Sequence, residues 1–301
     1  MPMIEEIMQS AGQAGASDVH IIVGTAPKMR VNGELLTMNF PKMTEKDTLE
    51  ILLGMMTQLQ RECFEKRGEY DMSFSIGKLG RYRVHAYKEK GLSALTLRLV
   101  SEQVPLPESL GIPESVTGIC EKKKGLVLIT GASGSGKSTT LAALVNKINY
   151  SREVHVMTLE SPIEYVHKPQ MAMISQREIG TDSGSYVSAL HAAMREDADV
   201  IVIDEMQGTD VAAAAIAAVE AGHLVFAAMN TSDAAAAVEH ILDAFPPSKQ
   251  KQASMRLANV LEALVAQSLS ISANGKMRNA EFEVTLADEE LRRIIQERKW
   301  I

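Results

Sequence analysis

GASGSGKS, at residues 131–138, is preceded by an apolar run at 126–130 and followed by a helical pattern at 138–149. The spacing is that of a phosphate loop, whose glycines let backbone N–H groups surround phosphate oxygens at the positive end of a helix dipole. In such a loop Lys137 contacts the β- and γ-phosphates and Ser138 ligates Mg²⁺. The alternative, a glycine-rich turn without a ligand, requires neither the strand before it nor the helix after it. The residues that we expect to bind nucleotide are Gly131, Ser133, Gly134, Ser135, Gly136, Lys137, Ser138 and Thr139.

Acidic and polar residues follow three further apolar runs, which we expect to be strands. Asp204 and Glu205 follow the run at 200–203, where Asp204 is placed to hold the metal shell and Glu205 to polarise the attacking water. Glu160 follows a second run and either orients water or metal or belongs to a solvated acidic loop. Asn230 follows a third run and either senses the γ-phosphate or begins a turn. The predicted catalytic residues are Lys137, Glu205 and Glu160, and the predicted metal ligands are Ser138 and Asp204.

The order of the patterns indicates an α/β protein with a second, smaller domain. After residue 116, continuous apolar runs alternate with helical patterns, which is typical of a parallel sheet covered on both faces. Before residue 105, short alternating strands and helices indicate an α+β unit, with one helix expected from a capping box at Thr44 to Gly68. Pro105, Pro107 and Pro113 indicate a stiff linker between the two patterns. The expected parts are an N-terminal domain at 1–104, a proline-rich linker at 105–116 and an ATPase domain at 117–301.

The composition excludes several classes of protein. The chain has 301 residues, of which 46% are hydrophobic and 23% are charged, as in ordinary globular proteins. The net charge of -7 argues against broad nucleic-acid binding, and Cys63 and Cys120 match no zinc spacing or redox pair. No apolar stretch approaches the roughly 20 residues of a membrane span, and the N-terminus does not resemble a secretory signal. We therefore expect a cytoplasmic protein that binds neither zinc nor nucleic acid.

Three arginines of the N-terminal domain are candidates for a role in catalysis. An arginine from a neighbouring subunit assists phosphoryl transfer in many nucleotide hydrolases. Arg81 and Arg83 fall on the same face of an alternating strand, and Arg98 lies on the next strand. The alternative, surface salt bridges, is the one that these residues alone favour.

Several short motifs resemble, in their order along the chain, those of the secretion-type hexameric ATPases, and most closely the PilT-like retraction motors of type IV pili. The resemblance covers nearly the whole length, and no single motif carries it. The matching segments are GASDVH (15–20), GRYRV (80–84), the phosphate loop, QREIG (176–180), RED (195–197), AGHLVF (221–226) and ELRRIIQE (290–297).

The resemblance implies a PAS-like N-terminal domain and a RecA-like core that assemble as a hexameric ring, with ATP and Mg²⁺ bound between the domains. Glu205 matches the Walker B glutamate and Glu160 the first acid of the Asp box. Arg83 and Arg98 match arginines that approach the nucleotide, while His223, of the His box, joins Asn230 as an expected sensor of the γ-phosphate. The implied partners are further copies of the chain, a pilus platform protein in the inner membrane and a possible paralogous ATPase. The implied location is the inner face of the cytoplasmic membrane, and the implied work is pilus retraction.

The chain departs from the pattern of the family at several positions. Ser161 replaces the aspartate of "EDP", and Asn230 replaces the second histidine of the His box. The segment "GEMRD" becomes DEMQG, which gains Asp204 and loses an arginine and an acid, and His191 stands where the family has an arginine. These changes leave two alternatives to a main retraction motor: an accessory ring subunit with weak activity, or an extension or secretion ATPase. The second lacks support because the four-cysteine zinc insert of those enzymes is absent. A DNA translocase is disfavoured by the acidic composition.

Overall fold

A computed structural model of the chain describes residues 2–77, 79–100, 103–271 and 278–298. These residues form two compact units. The N-terminal unit comprises Met1–Glu102 with Pro162–Glu164, and the C-terminal unit comprises Gln103–Ser161 with Tyr165–Ile301. No helix in the described ranges is long and apolar enough to cross a membrane.

The N-terminal unit is built on a six-stranded antiparallel sheet with the strand order β3-β2-β1-β6-β5-β4. Its core joins Ile4 and Ile7 of the first helix, Leu52 of the second, and Leu95 and Leu97 of β6. The smaller α+β domain expected from the sequence is therefore confirmed. Its elements are α1 (Pro2–Gln13), β1 (Asp18–Ile21), β2 (Lys28–Val31), β3 (Glu34–Thr37), α2 (Glu45–Met55), α3 (Gln58–Arg67), β4 (Glu69–Ser75), β5 (Arg81–Glu89) and β6 (Leu92–Leu99).

The helix expected from Thr44 to Gly68 is two helices. Thr44 begins α2 with the predicted capping box, in which its hydroxyl accepts from the N–H of Asp47. Thr57 begins α3 with a second capping box, formed with Gln60. The prediction of a single helix was wrong because this second start signal lies inside the apolar pattern.

The C-terminal unit is built on a seven-stranded sheet with the order β13-β12-β7-β11-β10-β8-β9. All neighbouring strands are parallel except β12 and β13, as the alternation of strands and helices predicts. Its elements are α4 (Glu114–Thr117), β7 (Gly125–Thr130), α5 (Lys137–Ser151), β8 (His155–Glu160), β9 (Met173–Glu178), α6 (Tyr186–Arg195), β10 (Val200–Ile203), α7 (Thr209–Glu220), β11 (Leu224–Met229), α8 (Ala234–Ala244), α9 (Pro247–Val260), β12 (Leu261–Ile271), β13 (Arg278–Leu286) and α10 (Glu289–Glu297).

The segment that we expect to be a linker contains two short helical turns. Pro107 begins a 3₁₀ turn that ends at Leu110, and Pro113 precedes α4. Proline fits these places because the first N–H groups of a helix have no partner within it. Ile112 and Val116 are buried in a core cluster of the C-terminal unit, so this stretch packs as part of that unit. The domain boundaries themselves stay a prediction.

The parallel strands bring their carboxyl ends to one edge of the sheet. In the register of the sheet, Met229 of β11 pairs with Thr130 of β7, and Ile203 of β10 pairs with Leu159 of β8. Every residue of β7, β10 and β11 is buried. Residues that follow these strands therefore lie together at one edge, which is the usual place for a ligand in such sheets.

Candidate active site

The phosphate loop connects β7 to α5 through glycines that no other residue could replace without strain. Gly131, Gly134 and Gly136 have φ angles of 151°, 79° and 91°. A Cβ atom on Gly131 would also lie 2.3 Å from the backbone oxygen of Gln267. The conformation and the close contact together explain why glycine occupies these positions.

Lys137 is the first residue of α5, and its ammonium group lies over the loop. Its Nζ donates to the backbone oxygens of Gly131 and Ala132, both at 2.8 Å. Burial lowers the pKa of Lys137 and the nearby Glu205 carboxylate opposes this shift, so that the net pKa is below its ordinary value. The loop therefore holds one buried cation close to the carboxylate that the sequence singles out as catalytic.

Glu160 ends strand β8 and has fixed hydrogen-bond partners. Its Oε1 accepts from the hydroxyl of Thr158 at 2.5 Å and from Nε2 of Gln176 at 3.0 Å. Gln176 lies on the adjacent strand β9 and also donates to the backbone oxygen of Tyr165. The Glu160 carboxylate is thus held in one orientation by neighbours on two strands.

Asp204 follows strand β10, and both of its carboxylate oxygens have partners. Oδ1 accepts from the hydroxyl of Tyr186, and Oδ2 accepts from the N–H of Ser161 at 2.6 Å. Burial raises the pKa of the Tyr186 hydroxyl, and Asp204 raises it further, so the hydroxyl stays protonated and donates. Asp204 therefore ties the ends of β8 and β10 to helix α6.

A small cavity separates the predicted metal ligands Ser138 and Asp204. Its volume is about 20 Å³, enough for one water-sized group, and Glu160 and His167 also line it. Within the described part of the chain, no group of three or more His, Cys, Asp and Glu could hold a metal ion. Mg²⁺ does not need such a group, because it usually keeps water ligands and shares one or two protein oxygens with phosphates. The residues present fit a Mg²⁺ ion that arrives with a nucleotide.

Asn230 and His223, both predicted to sense the γ-phosphate, lie at opposite ends of β11. Nδ2 of Asn230 donates to Oε1 of Glu205 at 3.0 Å, at the same edge as the phosphate loop. His223 precedes the first residue of β11, which pairs with Gly125 at the start of β7, and its Nδ1 lies 2.5 Å from the backbone oxygen of Ala198. A strand of six residues is about 20 Å long, so His223 cannot contact a phosphate bound in the loop of the same chain. The role of His223 as a sensor stays a prediction that the geometry of a single chain does not support.

Arg83 and Arg98 lie on adjacent strands of the N-terminal unit, directly paired in the register of β5 and β6. Arg98 donates from Nε to the buried Asp18 at 2.7 Å. Burial raises the pKa of Asp18, but hydrogen bonds from Ser17 and Arg98 outweigh it and lower the net pKa. Arg83 lies 3.8 Å from the carboxylates of both Asp71 and Glu164, too far for a hydrogen bond. Arg98 is therefore engaged within its unit more closely than Arg83, and a role in a neighbouring copy stays a prediction for both.

Two residues that the sequence did not single out complete this edge. Tyr186 holds Asp204, and Gln267 of β12 donates to the backbone oxygen of Ser135 in the phosphate loop. Each contact joins residues far apart in the chain, and neither residue belongs to a short motif. A glutamine inside an apolar strand was the one available signal, because a buried amide needs hydrogen-bond partners.

Known proteins resemble this chain over nearly its whole length. The family model for "Type II/IV secretion system protein" matches residues 1–298. The chain belongs to this family. The type IV pilus retraction ATPase PilT of Pseudomonas aeruginosa is 34% identical over 98% of this chain and 86% of its own length. The type IV pilus ATPase PilU of the same species is 36% identical over 94% of this chain and 74% of its own length.

Among solved structures, a crystal structure of the pilus retraction motor PilT with bound ADP matches with a TM-score of 0.91 and 36% identity, covering 98% of this chain and 86% of that one. The resemblance of this chain to retraction ATPases and its predicted fold class are therefore confirmed. The individual site residues stay predictions.

Two of the residues that depart from the family pattern form hydrogen bonds with other residues of the predicted site. Asn230 contacts Glu205, and Ser161 contacts Asp204, itself a departure. Gln207 and His191 are exposed. At both positions the residue that departs from the family pattern donates a hydrogen bond to a carboxylate.

Proposed function

We propose that this chain hydrolyses Mg²⁺-ATP and uses the energy to drive retraction of a type IV pilus. The observation that carries the proposal is the meeting of Lys137, Glu205 and Asn230 at the carboxyl edge of a parallel sheet. The 34% identity to a retraction ATPase over 98% of the chain supports the kind of work performed.

Each site residue has a role that its position suits. Backbone N–H groups of the phosphate loop and the Lys137 ammonium bind the phosphates, and Lys137 exchanges its two carbonyl partners for phosphate oxygens. Ser138 and Asp204 hold Mg²⁺, which when bound neutralises charge on the phosphates. Glu205 orients the attacking water and accepts its proton, while Asn230 fixes the Glu205 carboxylate by one hydrogen bond. Glu160 supports the shell around the metal.

The base and ribose of the nucleotide have a place beside the loop. A cavity of about 380 Å³ extends from Gly136 and Thr139 towards the apolar side chains of Leu110 and Leu269. Ligand sites commonly join apolar walls to a few polar groups, as this one does. A purine stacked against the two leucines would leave its triphosphate at the loop.

The working assembly is a homo-hexameric ring at the inner face of the cytoplasmic membrane. In this ring Arg83, and less directly Arg98, approaches the nucleotide of a neighbouring copy, because Arg83 has the weaker contacts within its own unit. The ring turns a platform protein in the inner membrane, and a paralogous ATPase is a further candidate partner.

The decisive experiment compares purified wild type with Lys137→Ala and Glu205→Gln. Lys137→Ala should lose both binding and hydrolysis of Mg²⁺-ATP, whereas Glu205→Gln should bind normally and hydrolyse about 10²–10⁴-fold more slowly. Lys251→Ala, which removes an exposed lysine of α9, is the matched control. Pilus retraction measured in cells should follow the ATPase rates.

Hydrolysis by Lys137→Ala at the wild-type rate would overturn the proposal. Steady hydrolysis by the wild type without a partner protein would identify a motor, and negligible hydrolysis that a second ATPase restores would identify an accessory subunit.

A further inference from the structure

Gln267 of strand β12 lies directly beneath the phosphate loop and contacts both of its ends. A Cβ atom on Gly131 would lie 2.3 Å from the Gln267 backbone oxygen, and one on Gly136 would lie 2.9 Å from its Nε2. The side chain is buried, with 5% of the residue exposed. The phosphate loop therefore packs directly on Gln267.

The side-chain amide of Gln267 joins the loop to the first turn of α5. Its Nε2 donates to the backbone oxygen of Ser135 at 2.8 Å, and its Oε1 accepts from the hydroxyl of Thr140 at 2.8 Å. A carbonyl oxygen can only accept, so the nitrogen of the amide must face Ser135. The chemistry of the partners thus fixes the orientation of the amide.

The contact with Ser135 also orients the peptide that links Ser135 to Gly136. In a planar trans peptide the C=O of one residue and the N–H of the next point in opposite directions. Because Gln267 holds the Ser135 oxygen towards β12, the N–H of Gly136 points away from β12. That is the side on which a phosphate would lie in a loop lined by N–H groups.

We propose that Gln267 is a positioning residue, which orients the Ser135–Gly136 peptide so that the Gly136 N–H binds phosphate. This inference rests on the proposed function, because it assumes that the loop binds nucleotide. It assigns to β12 a direct part in phosphate binding, although β12 contributes no residue to the phosphate-loop motif.

Two substitutions separate the proposed role from simple packing. Gln267→Met keeps the approximate volume and removes both hydrogen bonds. Gln267→Glu keeps an acceptor for Thr140 but turns a carboxylate oxygen towards the Ser135 oxygen, so it removes the bond to the loop and adds a negative charge beneath it. Thr140→Val removes only the other bond. Ser268→Ala, at the exposed neighbouring position of β12, is the matched control.

The test measures the Kd of Mg²⁺-ATP by calorimetry, together with KM, kcat and the melting temperature of each full-length variant. Losing a buried hydrogen bond to the loop should raise Kd and KM about tenfold in Gln267→Met and Gln267→Glu, with kcat changed less than about threefold. Thr140→Val should change Kd much less, and Ser268→Ala not at all. Wild-type Kd in a folded Gln267→Met or Gln267→Glu variant would overturn the inference.

Inorganic tripolyphosphate distinguishes the loop from the cavity for the base, which Gln267 also lines. A role in the loop predicts that tripolyphosphate, as a competitive inhibitor, weakens about tenfold in Gln267→Met, in parallel with ATP. Weaker ATP binding with unchanged tripolyphosphate binding would reject the positioning role.

Failure of the proposed function and failure of this inference give different results. If the wild type binds no Mg²⁺-ATP, the proposed function fails. If the wild type binds and Lys137→Ala does not, while both Gln267 variants bind as the wild type, the function stands and only this inference fails.

Discussion

Asp204 and Ser161 are two departures from the family pattern that lie in contact at the ends of adjacent strands. The N–H of Ser161 donates to the Asp204 carboxylate at 2.6 Å. The family pattern has its carboxylate at position 161 and glycine at position 204. This chain therefore loses a carboxylate after β8 and gains one after β10, in contact with the backbone of residue 161.

This exchange predicts a compensating pair of substitutions. Asp204→Gly should lower the affinity for Mg²⁺ about 10–100-fold, the usual loss when a residue that supports a metal site is removed. Adding Ser161→Asp should restore most of it, because the double variant returns the carboxylate from the neighbouring strand. The measurement is ATPase rate against Mg²⁺ concentration, with Ser161→Asp alone as the control. A double variant no better than Asp204→Gly would show that the two positions are independent.

His167 makes folding stability depend on pH. Burial lowers the pKa of this histidine to about 4, against about 6.5 in an unfolded chain. Between these values the unfolded chain binds the proton that the folded chain does not, so stability is full above pH 6.5 and falls as the pH drops towards 4. The loss from this one group is about 3 kcal/mol.

The prediction is tested by urea unfolding at pH 7 and pH 4.5 in wild type and His167→Gln. The variant should lose less stability between the two pH values than the wild type does. His240→Gln, which removes an exposed histidine, should lose as much as the wild type. Equal losses in wild type and His167→Gln would show that His167 is protonated without cost.

At the scale of elements, the predictable parts of the fold are those with local signals. The buried strand before the phosphate loop and the helix after it follow from an apolar run and a glycine-rich turn, and both are present as β7 and α5. Strand β12 runs from Leu261 to Ile271. It pairs with β7, more than 100 residues earlier in the chain, and such a pairing leaves no local signal.

The candidate site divides in the same way. The positions of Lys137, Glu205 and Asn230 follow from strand ends that share one edge of the sheet. The supporting contacts of Tyr186 and Gln267 depend on tertiary packing, so the sequence did not predict them. His223 and Asn230 belong to one family motif, but the motif spans β11, so its two ends lie at opposite ends of that strand.

The C-terminal helix α10 is held to the C-terminal unit by two buried residues. Ile295 is fully buried and Leu291 nearly so, and both belong to the core cluster that includes helix α9. Ile295→Ala should lower the free energy of unfolding by about 3 kcal/mol through lost burial and a residual cavity. Arg293→Ala, on the exposed face, should change it by less than about 0.5 kcal/mol. Urea unfolding of both variants measures the difference, and equal stabilities would show that α10 is not packed in solution.

At the scale of the whole molecule, the ring and its arginines make the strongest prediction. Arg83 and Lys137 belong to different compact units, and Arg83 has no contact closer than 3.8 Å among the ion pairs that the structure describes for it. If Arg83 serves the nucleotide of a neighbouring copy, an active site draws its loop from one copy and its arginine from the next. Each active site is then shared by two neighbouring copies. Lys137→Ala inactivates the copy that supplies the loop, and Arg83→Ala inactivates the copy that supplies the arginine.

Mixing the two inactive variants should therefore regenerate activity. In a randomly mixed ring of equal parts, a copy with an intact loop stands beside a copy with an intact arginine at about one quarter of the interfaces, so about one quarter of wild-type ATPase activity should return. Phosphate release measured before and after co-refolding or subunit exchange gives the recovery. Mixing Lys137→Ala with the Lys137→Ala/Arg83→Ala double variant is the control, because no copy in that mixture has an intact loop. Recovery in the first mixture alone would place Arg83 in the site of a neighbour. No recovery in either mixture would confine the arginine to its own chain.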